Sequence, residues 1–591
     1  MTLPARVVPS APSLWAPDAD TVHLVVGDER RGLQRGPDGW WRSTGAPLPP
    51  DSDYAFSIDG GPPRPDPRAP RLPAGVHGPA RTVDHAAFAW GDQGWTPPRL
   101  ADGLVYELHV GTFSTDGTFD GVVERLDHLV DLGVTHLELM PVHSFPGQRG
   151  WGYDVAGLFA PHEPYGGPDG LKRLVDACHR RGLAVLLDVV WNHLGPEGNY
   201  LGESGPYVTD RFRTPWGGAV NLGERGADEV RRFIVDNALM WLRDYHLDGL
   251  RIDAVHAFVD LTAVHLLEEL AAEVRQLETE LGRPVVLIAE SDLNDPRLLR
   301  DPSVGGYGLH AQWSDDLHHA IHVTLTGERA GYYEDFVGLA DLASALGRVF
   351  VYEGQHSVHR GRRHGRPADG LPMDRFLGYA QNHDQVGNRA VGERLVHLAG
   401  ERAARVAAAL VLAGPFVPLL FAGEEWGAST PFLFFTDYGD PVLWDAVREG
   451  RRREFAAFGW APEAVPDPQD PATFEASRLI WDELDREPHA GLLAWHRTLV
   501  RLRRERPDLR DPGRPVVRAD AAMGTLLVER PAATLAANVG QHERTLRLSA
   551  GAHELLAASD PAATHLTGRD LRLAPMSVAI LDRAPGPGGH V

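Results

Sequence analysis

The chain has 591 residues, 43% hydrophobic and 24% charged, with a formal net charge of −23; that length exceeds one compact core and predicts two to four domains. The acidic balance argues against nucleic acid or an anionic membrane as a partner, because both need clustered Lys and Arg. The longest apolar runs, such as 411–422, are broken by Gly and Pro and fall short of a bilayer span.

The first 17 residues lack the basic start and apolar core of a secretory signal. Cys178 is the single cysteine. No intramolecular disulfide can form, so a reducing, cytoplasmic setting is expected. Cys178 sits in the helix-like stretch LKRLVDACHRRG, where packing is the plain reading. Residues 360–366, RGRRHGR, are a local basic exception and read as a solvated loop.

In chain order, 1–92 carries short β segments (TVHLVVG, GWWRST, YAFSIDG) between Gly and Pro turns, which predicts a small N-terminal β-sandwich. Within it the Pro-rich stretch 62–75 reads as a tie-down rather than a free linker. Over 93–510 short apolar strands alternate with amphipathic helices. The strands are LVYELHV, VTHLELMPV, LAVLLDVVW, LDGLRIDAV, PVVLIAES, LHAQWS, FLGYAQNHD and PFVPLLFAG. The stretch FDGVVERLDHLVDLG reads as one helix, and the helix HAGLLAWHRTLVRLRRER ends the series. Eight strands are what a closed (β/α)8 TIM barrel needs, so the fold class is α/β. Long insertions, notably 195–228, are expected to build a site at the strand C-terminal ends. Residues 511–591 return to alternating segments and predict a small C-terminal all-β domain, with the tail 584–591 disordered.

Charge gathers at four strand ends: Asp188-Val-Val-Trp-Asn192-His193, Arg251-Ile-Asp253-Ala-Val-His256, Ala289-Glu290-Ser291 and Asn382-His383-Asp384. Carboxylates placed directly after apolar strands are costly unless they face a shared polar site. Glycoside hydrolysis needs two carboxyls in different protonation states. Arg251 and Asp253 share one face of a strand, so the guanidinium should hold Asp253 ionised, as a nucleophile requires. Glu290, behind the apolar run VVLIA, should be raised by burial near other acids, as a general acid requires.

Other readings stand beside these. Asp384 could be a helix N-cap. His193 and His383 could be structural, and His193 with Asp188 could begin a metal site. The run 310–319, HAQWSDDLHH, could be a metal cluster or, preferably, a polar loop with Trp313, Asp315 and Asp316 near a leaving group.

DVVWNH, GLRIDAVH, LIAES and NHD, in that order on those strands, resemble the signature segments of the alpha-amylase family, over roughly 104–506. The resemblance implies Asp253 as nucleophile, Glu290 as acid/base and Asp384 as transition-state stabiliser. It also implies that Asp188, His193, Arg251 and His383 surround the sugar, with Tyr153 stacked on it and Asp154 bracing the site. Trp191 and His256 lie within the same segments and count as substrate-binding candidates. Asn192 occupies a position that coordinates calcium in many amylases; the other ligands are not identifiable, and neither a metal nor another cofactor is expected.

The sandwich before the barrel is similar to the glycogen-binding type. The stretches ELMPVHSFPGQRGWGYDVAGLFAPHEPYGGP, NHLGPEGNYL and FAGEEWGASTPFLFFTDYGD resemble the trehalose-releasing branch of the family. That resemblance implies cleavage of the α-1,4 bond next to the terminal trehalose of maltooligosyltrehalose. It also implies maltooligosyltrehalose synthase as a functional partner. Rigid aromatic walls would suit a bent disaccharide; the candidates are Trp216, Trp426, Phe432, Phe434 and Phe435, with Glu425 and Asp437 adding polar contacts. FLFF reads equally as a buried strand. The alternatives are a glycogen branching enzyme, which passes the glycosyl group to a sugar hydroxyl, and a non-catalytic glucan-binding scaffold.

Overall fold

The computed structural model describes residues 11–456, 461, 464–549, 551 and 553–583. The C-terminal segment 584–591, expected to be disordered, lies outside the described residues. Among them, no helix is long and apolar enough to cross a membrane.

Eight parallel strands close a barrel: β1 (Val105–Leu108), β2 (His136–Leu139), β3 (Ala184–Val189), β4 (Gly249–Ile252), β5 (Val286–Ala289), β6 (Ala311–Trp313), β7 (Phe376–Gly378) and β8 (Val417–Phe421). They are the eight stretches expected from the sequence. Both faces of each strand are covered, one by the barrel interior and one by helices, which is why the strands read as near-continuous apolar runs. The amphipathic helices Gly167–His179, Ala227–Asp244, Leu266–Leu281 and His489–Glu505 pack around the outside. The stretch expected as one helix is two, Phe119–Val123 and Leu126–Leu132, and the second stops at Gly133 in the left-handed region (φ 95°). Cys178 is fully buried in the helix Gly167–His179, and burial pushes its thiol up.

Before the barrel, two small antiparallel sheets share a core of Leu14, Val22, Leu24, Trp41, Tyr54 and Phe56. The Pro-rich stretch fastens this sandwich down. Ala69 and Leu72 enter its core, while Arg68 pairs with Asp236 at 2.8 Å and Arg71 with Glu163 at 2.6 Å. After the barrel, a five-stranded and a three-stranded antiparallel sheet enclose a second small core that includes Leu527, Leu571 and Leu581.

Register sets what the barrel mouth displays. Asp188 on β3 lies beside Arg251 on β4, and Arg251 lies beside Ile288 on β5. The long insertion after β3 carries a hairpin, Val208–Thr214 with Gly217–Val220, and Trp216 stands at its turn.

RGRRHGR is largely exposed, as a solvated loop should be, and it is tied down. It closes a short hairpin, His356–Ser357 with Arg362–Arg363, held by Asp335 accepting from the Val358 and His359 amides at 2.7 and 3.1 Å. Arg360 also donates to Asp292 at 2.9 Å. One expectation is corrected here: the run 310–319 is not a loop but β6 followed by the helix Asp315–Thr326. Asp316 faces inward there, accepting from Asn294 at 2.8 Å and from the Val351 amide at 2.6 Å, so it has no reach toward a leaving group.

Candidate active site

Asp253 follows β4 directly. Its amide bonds the Val189 carbonyl at 3.0 Å, which extends the ladder one residue and fixes the carboxyl at the mouth. Arg251 Nη1 donates to Asp253 Oδ1 at 2.8 Å, and Asn192 Nδ2 donates to Oδ2 at 2.6 Å. Both carboxyl oxygens are therefore oriented by charged or amide donors. Arg251 Nη1 also reaches both oxygens of Asp188, at 2.9 and 2.8 Å. Below the guanidinium lies the Trp313 ring, 4.2 Å from Arg251 Cζ.

Glu290 enters from the next strand end. Arg251 Nη2 stands 3.8 Å from Glu290 Oε2. One guanidinium thus faces Asp253 with one nitrogen and Glu290 with the other, which places both acids on the same side of the mouth. The residue after Asp253 completes the arrangement. Ala254 takes left-handed backbone (φ 40°, ψ 52°) and turns its N–H onto Glu290 Oε2. A non-glycine residue in that region is a local cost of the kind found at functional sites. Burial raises the Glu290 carboxyl above its ordinary range; Arg251 opposes the shift and Asp253 adds to it.

The opposite side is a continuous hydrogen-bond chain. Tyr153 donates to Asp188 Oδ2 at 2.5 Å, and its hydroxyl lies 2.7 Å from His383 Nε2, with the two rings stacked at 5.2 Å. Burial pushes Asp188 up to about 7, with Arg251 and Tyr153 pulling the other way. His383 closes the chain against Glu107 on β1, whose Oε2 accepts the His383 amide at 3.0 Å while Oε1 meets Nδ1. Burial opposes charge on His383, but Glu107 and Asp384 outweigh it and raise the imidazole to about 9.

Asp384 reaches the mouth with 42% of its side chain exposed, 3.4 Å from His383 Nε2. The cap role weighed for it belongs to Asn382, whose Oδ1 accepts from the Asp384 and Gln385 amides. His193 bonds Asn192 and the Tyr153 carbonyl, and Trp216 lies flat over it at 4.9 Å with 48% exposure. Burial lowers the His193 imidazole. His256 is exposed beside Asp292, 3.8 Å away. Asp315 accepts from Tyr379, and burial, with Glu290 adding to it, holds it well above the carboxylate range. Among the described residues, no three His, Cys, Asp or Glu side chains are grouped to hold a metal ion.

Several candidates lie elsewhere. Trp191 is fully buried and donates to Asn237 at 2.8 Å, because it points from the strand end toward the helical layer. Glu425 is fully buried, accepting from Tyr106 at 3.0 Å and bonded to His128 at 2.8 Å. Phe432, Phe435 and Trp426 are buried, and FLFF is neither wall nor strand but an irregular packed segment. Of its three rings Phe434 alone is partly exposed, against Trp151 and Arg451. Trp313 is 1% exposed and supports Arg251 from beneath instead of offering a face to a sugar. Asp437 binds Arg149 at 2.6 Å.

Glu107, Tyr379 and the Ala254 amide were not anticipated. Glu107 had a signal, since a charge inside the fully buried strand VYEL demands a partner.

A closed parallel barrel whose mouth gathers these acids around one buried guanidinium defines a glycoside hydrolase of the alpha-amylase class, and the family model for the alpha-amylase catalytic domain matches residues 89–213. A malto-oligosyltrehalose trehalohydrolase of Arthrobacter ramosus is 54% identical over 522 residues, 88% of this chain and 90% of that protein. One of Rhizobium sp. (strain M-11) is 47% identical over 96% of this chain and 97% of its own. A solved structure described as a putative alpha amylase from Salmonella typhimurium superposes with a TM-score of 0.88 at 39% identity, covering 97% of each chain. The chain belongs to the malto-oligosyltrehalose trehalohydrolase family.

Proposed function

We propose that this enzyme hydrolyses the α-1,4-glucosidic bond beside the terminal trehalose of maltooligosyltrehalose, with net retention at the anomeric carbon. The observation that carries the chemistry is Arg251 facing Asp253 and Glu290 at once. The substrate follows from the relatives that share most of the chain.

In the first step an Asp253 carboxylate oxygen forms a bond to the anomeric carbon as the bond to the trehalose 4-oxygen breaks. Glu290 passes its proton to that oxygen, and trehalose leaves. In the second step a water oxygen attacks the same carbon while Glu290, now a carboxylate, takes its proton; the bond to Asp253 breaks and frees the maltooligosaccharide. Asp384, exposed at the mouth, faces the charge that develops on the ring. Asp188, His383 and Tyr153 flank the same ring, and Trp216 over His193 offers it a platform.

A glycogen branching enzyme would use the same first step and replace the water by a sugar hydroxyl. Incubation with maltooligosyltrehalose and assay of free trehalose separates the two. Trehalose release supports this reading, and new branches on amylose without trehalose overturn it. We infer further that the substrate comes from a maltooligosyltrehalose synthase and that the pair works in the cytoplasm, where a single buried thiol is in keeping with reducing conditions.

A further inference from the structure

Two acids inside the barrel take no part in the steps above: Glu107 on β1 and Glu138 on β2, adjacent in register and both 1% exposed. They are treated very differently by their surroundings. Glu107 holds His383 by two contacts, to its amide and to Nδ1. Glu138 has no hydrogen-bond partner for either oxygen among the described residues. Burial, with Glu107 adding to it, holds the Glu138 carboxyl well above the ordinary range, whereas Glu107 accepts from the His383 amide.

Donor and acceptor accounting then fixes the histidine. Arg251 donates to both oxygens of Asp188, so Asp188 is the acceptor for the Tyr153 hydroxyl. A hydroxyl has one proton, so the contact between Tyr153 and His383 Nε2 needs the proton on nitrogen. On the other side of the ring, Nδ1 meets a carboxylate, which only accepts. Both ring nitrogens therefore donate.

We propose that Glu107 is a positioning residue for the reaction: it holds His383 as the doubly protonated imidazolium that fixes Tyr153, and through it Asp188, against the sugar. Glu107 touches no substrate; it acts through His383. The groups facing that imidazolium are Glu107 from β1, Glu138 from β2, Asp188 from β3, Arg251 from β4, Tyr153 from the loop after β2 and Asp384 on its own segment, with His109 adding a weaker repulsion. Trp151 and Trp313 cover it with their rings. The proposal rests on the reading that His383, Tyr153 and Asp188 flank the reacting sugar.

The test uses the full chain with Glu107→Gln, and Glu138→Gln as its counterpart. With Glu107→Gln the imidazole loses its carboxylate partner and gives up its proton at lower pH. The ratio of wild-type to variant kcat/KM should then grow by about tenfold or more between pH 5 and pH 8. Glu138→Gln replaces a neutral group by a neutral group, and its ratio should stay flat. A uniform loss across pH in Glu107→Gln would mean a packing role and overturn the proposal. A second readout needs neither substrate nor variant: NMR titration of His383 in the unaltered protein. An imidazolium persisting above pH 8 supports the proposal, and a ring neutral at pH 7 overturns it whatever the product assay finds.

Discussion

Arg251 meets Asp253 at 2.8 Å through one terminal nitrogen while its other terminal nitrogen faces Glu290 at 3.8 Å. The side chain is fully buried, stands over Trp313 and also bonds both oxygens of Asp188. A planar fork can serve three acids in this way and an ammonium cannot. Arg251→Lys should keep the charge and lose the geometry, lowering kcat at least about 100-fold. Steady-state kinetics on a variant with an unchanged melting temperature checks this.

Burial holds the Glu290 carboxyl above the ordinary carboxylate range, which favours the protonated form that the proposed general acid needs. Glu290→Gln should cut hydrolysis of the natural bond by about 10²–10⁴-fold. A maltosyl fluoride needs no proton on its leaving group, so its first step should survive in this variant. The second step, deprived of its base, should stall and leave a glycosyl group on Asp253. Peptide mass mapping would locate the adduct, and an adduct elsewhere would remove Asp253 from the role proposed for it.

The barrel and the charged strand ends were legible because each rests on a local pattern. Apolar runs ending in a carboxyl mark strands that deliver charge to one face, and the two-residue spacing of Arg251 and Asp253 puts their side chains together. What could not be read was which way a residue turns beyond the last ladder bond. Trp191 lies one residue before Asn192, yet the first faces a helix and the second faces Asp253. Glu425 and Phe435 sit in irregular segments without a period, so their burial depends on tertiary packing alone.

That difference gives a paired test. Trp216→Ala should raise KM about three- to tenfold, roughly the worth of one ring contact, and leave stability intact because the ring is half exposed. Trp191→Ala should do the reverse and cost on the order of 3–5 kcal/mol of stability by opening a cavity. Denaturation curves beside kinetics separate the two.

The pH dependence of stability carries a sign that can be worked out. His383 is raised from 6.5 to about 9 in the folded protein, so folding binds its proton more tightly. The resulting stabilisation is fully present below about pH 6.5 and disappears as pH climbs through 9. Melting temperature should therefore fall over that window, and His383→Gln should flatten the fall. A slope unchanged by the substitution would place the proton elsewhere.

The most direct test of the whole account follows one reaction by proton NMR, with maltooligosyltrehalose and catalytic enzyme. Direct attack by Asp253 with Glu290 as donor predicts trehalose and a new reducing end that appears first as the α-anomer and only later mutarotates. A β-anomer appearing first would mean that water, not Asp253, attacks the sugar, and would contradict the account.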